Sequence, residues 1–299
     1  MFEGFATRRL PTSGCPEGIH LRIGGSGPPL LLLHGYPQTH VCWHRVAPLL
    51  ADRFTLVLPD LRGYGDSGKP EPGERCMAYS KRALAEDMVE VMQALGHAHF
   101  FLAGHDRGAR VAHRLALDQP QAVLRLCTMD IVPTLHRFDT IDTRGALGAY
   151  HWFFLAQPGG LPERLIGAEP EFFLRHTLRS WFGQGEAGPA EAAPEAMAEY
   201  LRCFRAPGTI RATCAEYRAG ATVDLEHDRA DFQAGKRVTC PLHLLWGAGS
   251  NQGSGVLEAW RRFAAGPVTG RGLACGHFLP EERPEEVAAE LCAFLADSA

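Results

Sequence analysis

The chain has 299 residues, 45% of them apolar and 21% charged, which suits one large globular domain or two ordinary ones with ample core. Thirty Lys and Arg stand against 34 Asp and Glu, for a formal net charge of −4, and only three of the cations are Lys (Lys69, Lys81, Lys236). With no basic run anywhere, a nucleic-acid or anionic-lipid footprint is excluded.

Arg8 and Arg9 near the start have no apolar stretch behind them, so no secretory signal is expected. The apolar run at 28–33 is far too short for a bilayer. A cytoplasmic protein without a membrane partner is the expectation. The nine cysteines are scattered without a C-x-x-C pair, as reduced, buried thiols would be. Of the fourteen histidines, His40-Val41-Cys42-Trp43-His44 forms the best cluster. It lacks H-E-x-x-H spacing or a second cluster, so neither a metal nor a cofactor is expected.

Short apolar runs at 29–33, 55–58, 100–103, 123–129 and 241–246 are bounded by Gly, Pro, Asp or His and show no polar alternation. Such runs suit strands buried on both faces of a parallel sheet. Between them, 83–95 places Leu84, Met88, Val91, Met92 and Leu95 on one helical face, and 111–117 reads as a second helix. This is the α/β alternation of a doubly wound, mostly parallel sheet. From about 133 to 237 no strand is evident; aromatic helical stretches at 150–155, 172–182 and 197–204 appear instead, with a Gly/Ala/Glu/Pro-rich loop at 183–194. The expected organisation is a core at 1–133 and 238–299 interrupted by a helical cap at 134–237.

Gly104-His105-Asp106-Arg107-Gly108 joins a strand to a helix in the pattern G-x-D-x-G, a nucleophile elbow with Asp in the place of Ser. The competing reading makes Asp106 a simple helix N-cap. Other motifs weigh against that. His34-Gly35-Tyr36-Pro37 follows the strand at 29–33, where an oxyanion-hole N–H belongs. Asp130 follows the strand at 123–129, and His277 sits on a loop before the last helix. Asp106, Asp130, His277 is the nucleophile–acid–histidine order of α/β-hydrolases. The Gly/Ser-rich segment 247–255 carries no acid and is expected to lie away from the chemistry. Gly65-Asp66-Ser67-Gly68 has a trypsin-like look but follows a buried parallel strand, the wrong context for that family.

On these residues the chain resembles an α/β-hydrolase from end to end, including Pro59-Asp60-Leu61-Arg62-Gly63-Tyr64-Gly65-Asp66-Ser67. More narrowly it resembles the fluoroacetate (haloacetate) dehalogenases, through Gly104 to Arg110, Asp130-Ile131-Val132-Pro133-Thr134, His151-Trp152, Trp181, and Tyr217 with Asp224-Leu225-Glu226-His227-Asp228. The resemblance implies Asp106 as nucleophile, His277 as base and Asp130 as its orienting acid. It implies Arg107 and Arg110 on a substrate carboxylate, and His151, Trp152 and Tyr217 around the halide. Trp181 would narrow the pocket, the Tyr36 and Arg107 backbone N–H groups would form the oxyanion hole, and the protein would be a homodimer acting on a small haloacid.

Those residue types suit the chemistry. A carboxylate displaces halide from an sp³ carbon to leave an ester. Arg107 and Arg110, three apart at a helix N-terminus, can hold an anion by forked hydrogen bonds; the alternative for Arg110 is an i,i+4 pair with Asp106. The aromatic donors either cradle a departing fluoride or simply pack the cap. Epoxide hydrolases and haloalkane dehalogenases share the plan, but both usually place Trp after the nucleophile, where Arg107 stands here. A hydrolase-fold ligand receptor is the non-enzyme alternative.

Overall fold

The apolar runs are strands: β3 Pro29–Leu33, β4 Thr55–Pro59, β5 Phe100–His105, β6 Val123–Met129 and β7 Leu242–Gly247. In the computed structural model, which describes residues 1–183, 193–250 and 255–296, Leu30 to Leu33 and every residue of β5 are buried, as strands covered on both faces must be. Three strands escape the apolar pattern. β1 Ala6–Thr12 and β2 Cys15–Gly25 form an antiparallel hairpin, and β8 Val268–Leu273 closes the far edge. β1 and β8 are edges with mostly exposed or half-buried side chains, so little burial was written into them.

The sheet order is β1-β2-β4-β3-β5-β6-β7-β8, with β2 antiparallel to β4 and every pair from β4 through β8 parallel. The chain lays β4 on one side of β3 and then β5 on the other. Such a reversal opens a crevice at the C-terminal strand ends. Helices α1 Ala47–Leu50, α2 Lys81–Ala94 and α3 Arg107–Asp118 follow β3, β4 and β5. α2 begins under a Ser80 cap whose hydroxyl accepts the Ala83 N–H.

Between β6 and β7 the described residues hold only helices: α4 Thr134–Thr140, α5 Thr143–Gly148, α6 Tyr150–Leu155, α7 Leu161–Ala168, α8 Pro170–Trp181, α9 Pro194–Phe204, α10 Thr209–Ala221 and α11 Val223–Gln233. The loop expected at 183–194 falls almost wholly outside the described residues. α10 and α11 leave no large apolar stripe in the sequence, because α10 buries mostly Ala, Cys, Thr and Gly around Glu216 and Tyr217 and α11 buries only Val223 and Asp224. Ion pairs tie this region to α3, with Arg114 bonded to Asp228 at 2.7 Å and to Asp231. α12 Val256–Arg261, α13 Leu279–Glu282 and α14 Pro284–Ala296 complete the chain. All nine cysteines are free thiols. Among the described residues no helix is long and apolar enough to cross a membrane.

Candidate active site

β5 ends at His105, and Asp106 turns the chain into α3 with φ 49° and ψ −117°, a conformation that costs an L-residue on the order of 1–3 kcal/mol. Two glycines permit it. A Cβ on Gly104 would stand 2.7 Å from the Ala109 backbone, and one on Gly108 would stand 2.3 Å from the His34 carbonyl oxygen. The Asp106 side chain caps no helical N–H, which removes the N-cap reading. Instead Oδ1 accepts the Tyr36 N–H at 2.8 Å, and Oδ2 lies 3.7 Å from His277 Nε2.

His277 Nδ1 stands 2.6 Å from Asp130 Oδ2, an arrangement that holds the proton on Nδ1 and leaves Nε2, which has no hydrogen-bond partner, as the basic lone pair. Asp130 Oδ1 accepts the Gly247 N–H at 2.9 Å and the Ser250 hydroxyl at 2.7 Å. The expectation that segment 247–255 lies away from the chemistry is therefore corrected. β7 neighbours β6 in the sheet, so the residues that leave its end are delivered beside Asp130. Residues 251–254 of that segment lie outside the described set.

The His277 loop is pinned by a carboxylate the sequence did not flag. Glu282 accepts the N–H groups of Gly276 (2.8 Å), Phe278 (2.9 Å) and Gly183 (2.9 Å), while the His277 N–H donates to the Trp181 carbonyl at 2.8 Å. Burial pushes the Asp106 carboxyl up, but His277, His105 and the two arginines outweigh it and hold the group at about 2. Burial pulls His277 down, yet the bond and charge of Asp130 leave it raised above the ordinary imidazole value. Burial takes His151 down to about 3, so its ring is neutral.

A cavity of about 170 Å³ opens onto this triad, lined by Asp106, Arg110, His151, Trp152, Trp181 and His277 among others. Arg110 donates to the Val132 carbonyl (3.1 Å) and the Thr134 hydroxyl (2.9 Å), lies 4.5 Å from the Trp152 ring centre, and leaves Nε unpartnered. The expected alternative of an Asp106–Arg110 pair is not formed. Arg107 is differently placed. Its Nε donates to Glu216 Oε1 at 2.9 Å, and its guanidinium lies 4.1 Å from the Tyr217 ring centre. Arg107, Tyr217 and Tyr36 are not among the cavity-lining residues. They form a layer around it, the Tyr36 ring meeting Tyr217 edge-on at 5.3 Å and stacking on His151 at 6.3 Å. The Tyr217 hydroxyl and His151 Nδ1 are buried without a hydrogen-bond partner.

The His40–His44 cluster does not come together. His44 Nδ1 faces the Val41 carbonyl at 2.9 Å, while His40 and His20 both turn Nδ1 to Asp60, at 2.8 and 3.0 Å. Asp60 also accepts the His40 and Asp66 N–H groups. Four donors thus occupy both oxygens, and the cluster reads as a hydrogen-bond hub under the β4 turn.

A family model described as alpha/beta hydrolase fold matches residues 28–283. The chain is 44% identical over 306 aligned residues to a fluoroacetate dehalogenase of Burkholderia sp., covering 100% of this chain and 96% of that one. It is 37% identical over 273 residues, 90% of each chain, to a soluble epoxide hydrolase of Corynebacterium sp. strain C12. Among solved structures it is similar to ALR0039 from Nostoc sp PCC 7120, with TM-score 0.94 and 50% identity over 99% of this chain and 100% of that one. The epoxide hydrolase CorEH gives TM-score 0.85 and 32% identity over 98% of this chain and 99% of that one.

Proposed function

Since the chain belongs to the alpha/beta-hydrolase fold family, we propose that it hydrolyses the carbon–halogen bond of a small 2-haloacid, fluoroacetate or another haloacetate, to glycolate and halide. Asp106 Oδ2 attacks the halogen-bearing carbon, a C–O bond forms as the C–X bond breaks, and halide leaves with the electron pair. Oδ1, already on the Tyr36 N–H, becomes the ester carbonyl oxygen. His277, oriented by Asp130, takes a proton from the water that attacks the Asp106 carboxyl carbon. Negative charge then develops on the oxygen facing the Tyr36 and Arg107 backbone N–H groups. Collapse releases glycolate and restores the Asp106 carboxylate, and the proton on His277 leaves to solvent.

The observation that carries the substrate class is Arg110, a buried cation in the wall of the same cavity as Asp106 that makes no ion pair to a carboxylate among the described residues. A neutral substrate gives such a charge nothing to do; an acid completes it. His151 and Trp152 in the cavity wall, and Tyr217 in the layer directly behind it, carry ring N–H, indole N–H and phenol O–H groups suited to a departing halide. The relative named fluoroacetate dehalogenase supports the same reading.

The test is halide release from fluoroacetate, chloroacetate and 2-chloropropionate, beside diol formation from styrene oxide. Many halides released per chain are expected, with no diol. Diol without halide would establish the second reading, epoxide hydrolysis, which the unpartnered Tyr217 hydroxyl and the epoxide-hydrolase relatives favour. One equivalent or less with every substrate would point to a receptor. A homodimer belongs to the same proposal, because Leu147, Phe153, Leu161, Leu165 and Phe172 expose apolar surface on α5 to α8; sedimentation at micromolar concentration decides it.

A further inference from the structure

The two arginines of α3 differ in what surrounds their charge. Arg107 meets a carboxylate that belongs to α10: Glu216 is fully buried, and its Oε1 lies 2.9 Å from Arg107 Nε and 2.6 Å from Lys81 Nζ. Its Oε2 accepts the Tyr64 hydroxyl, and its main-chain carbonyl accepts Arg107 Nη2 at 3.2 Å. Lys81 reaches a second carboxylate, Asp224 of α11, at 3.4 Å. Two cations of the core and two anions of α10 and α11 thus form one closed, buried set. In such a set each charge is tolerated only because the others are present.

The geometry leaves Arg107 little freedom. One edge of the guanidinium is spent on Glu216, the face is covered by the ring of Tyr217, the very next residue, and the Tyr217 ring is in turn held edge-on by Tyr36. Among the described residues Arg110 has a carbonyl, a hydroxyl and the Trp152 ring as partners, and no carboxylate. We propose that Glu216 is a positioning residue that fixes the Arg107 guanidinium and cancels its charge, so that, of the two arginines of α3, it is Arg110 that supplies the uncompensated cation selecting an anionic substrate. The proposal rests on the haloacid reading for the identity of the anion. Burial pushes the Glu216 carboxyl up, but Arg107 and Lys81 outweigh it and hold the group at about 2, so the cancelling charge is present throughout the working pH range.

The charge balance makes an unusual demand. Glu216→Gln keeps the size of the side chain and removes one negative charge close to the cavity, so an anion binds the variant more tightly. Affinity for acetate, a dead-end anion, and 1/KM for chloroacetate both rise by about fivefold, the effect of one unit of uncompensated charge at partly screened range. Affinity for acetamide and KM for chloroacetamide stay within about twofold. The kcat for chloroacetate falls at the same time, because the freed cation stabilises the Asp106 carboxylate and makes it a poorer nucleophile. A role in folding alone would weaken both ligands and move KM upward. Lys81→Met shifts the charge the other way: acetate binding weakens and acetamide binding holds, and adding it to Glu216→Gln returns acetate affinity to the parent value. Each variant is read by acetate and acetamide titration whether or not it turns over. Equal changes for acetate and acetamide, or a weaker anion in Glu216→Gln, overturn the proposal. A parent protein that binds acetate in this charge-dependent way but releases no halide overturns the haloacid reading instead.

Discussion

The two walls of the cavity are held by different means. On the sheet side, Asp106, the Tyr36 N–H and Asp130 sit at the ends of adjacent parallel strands, and backbone conformation places them: Asp106 and Asp130 both adopt positive φ, 49° and 53°. On the other side, His151, Trp152 and Trp181 are placed by ring contacts, His151 lying 4.4 Å from Trp181 between ring centres, and by a charge cluster that reaches across to α3. The sheet side therefore tolerates little change in backbone and, on the proposed mechanism, fixes which bond is made and, through Arg110 of α3, holds the acid. The helical side can exchange side chains without touching Asp106, and on the same mechanism it shapes the room around the departing halide.

The largest effect expected falls on the sheet side. Asp106→Ala should lose at least about 10⁴-fold in kcat, and one turnover of excess parent enzyme in ¹⁸O-water should label Asp106 while leaving the first hydroxyacid mostly unlabelled. His277→Ala should accumulate an ester on the peptide that holds Asp106. Heavy oxygen in the first product with an unlabelled Asp106 would make His277 a base for direct attack by water and would break the division of labour between the walls.

Arg110→Leu comes next and tests selection by charge: kcat/KM for haloacetates should fall by about 2–4 kcal/mol in transition-state free energy, with a much smaller loss for the neutral haloacetamides. Burial pulls Arg110 below the ordinary guanidinium value, yet a guanidinium keeps its proton through the neutral and mildly alkaline range. KM for chloroacetate should therefore stay level across that range, as KM for chloroacetamide does, and a rise for chloroacetate alone would show that the cation is lost. Removing His151, Trp152 or Tyr217 singly should cost fluoroacetate about tenfold more than bromoacetate, since the smaller ion gains most from hydrogen bonds in the transition state; equal losses on all halides would reduce these residues to packing. Ser250→Ala is the smallest, about 0.5–1 kcal/mol on kcat/KM through one bond to the Asp130 carboxylate, and a rate indistinguishable from the parent would remove Ser250 from the sheet-side wall.

Legibility in the sequence followed the same division. Asp106, Asp130, Tyr36 and His277 could be found because strand, tight turn and helix leave a local pattern, small residues around one chemical group. Glu216 left none. It sits beside Tyr217 on a helix whose other buried residues, Thr, Ala, Cys and Gly, are small, and a lone Glu on such a helix reads as a solvated charge. Its role exists only through Tyr64, Lys81 and Arg107, between 109 and 152 residues away. Arg107 and Arg110 were legible as a pair of neighbours and not as unlike members of that pair, because their difference is made by that same distant carboxylate. Ser250 was misjudged because sheet order, which the sequence pattern leaves open, decides that the end of β7 stands beside Asp130. β1 and β8 were missed for want of burial, α10 and α11 for want of large apolar side chains.

The long helical stretch between β6 and β7 also imposes an order of assembly in time. Asp130 and His277, bonded at 2.6 Å, are 147 residues apart in the chain. A ribosome therefore delivers Asp106 and Asp130 well before His277. Until β7 has docked along β6, Asp130 lacks the Gly247 N–H, and His277 has no loop to sit on. On the proposed mechanism, a nascent chain at that stage carries Asp106 without the group that frees it from an ester, so a reactive halide would mark it once and permanently. Because contacts of such long sequence separation form late, closing the sheet and acquiring the capacity for repeated turnover are, on that mechanism, the same event.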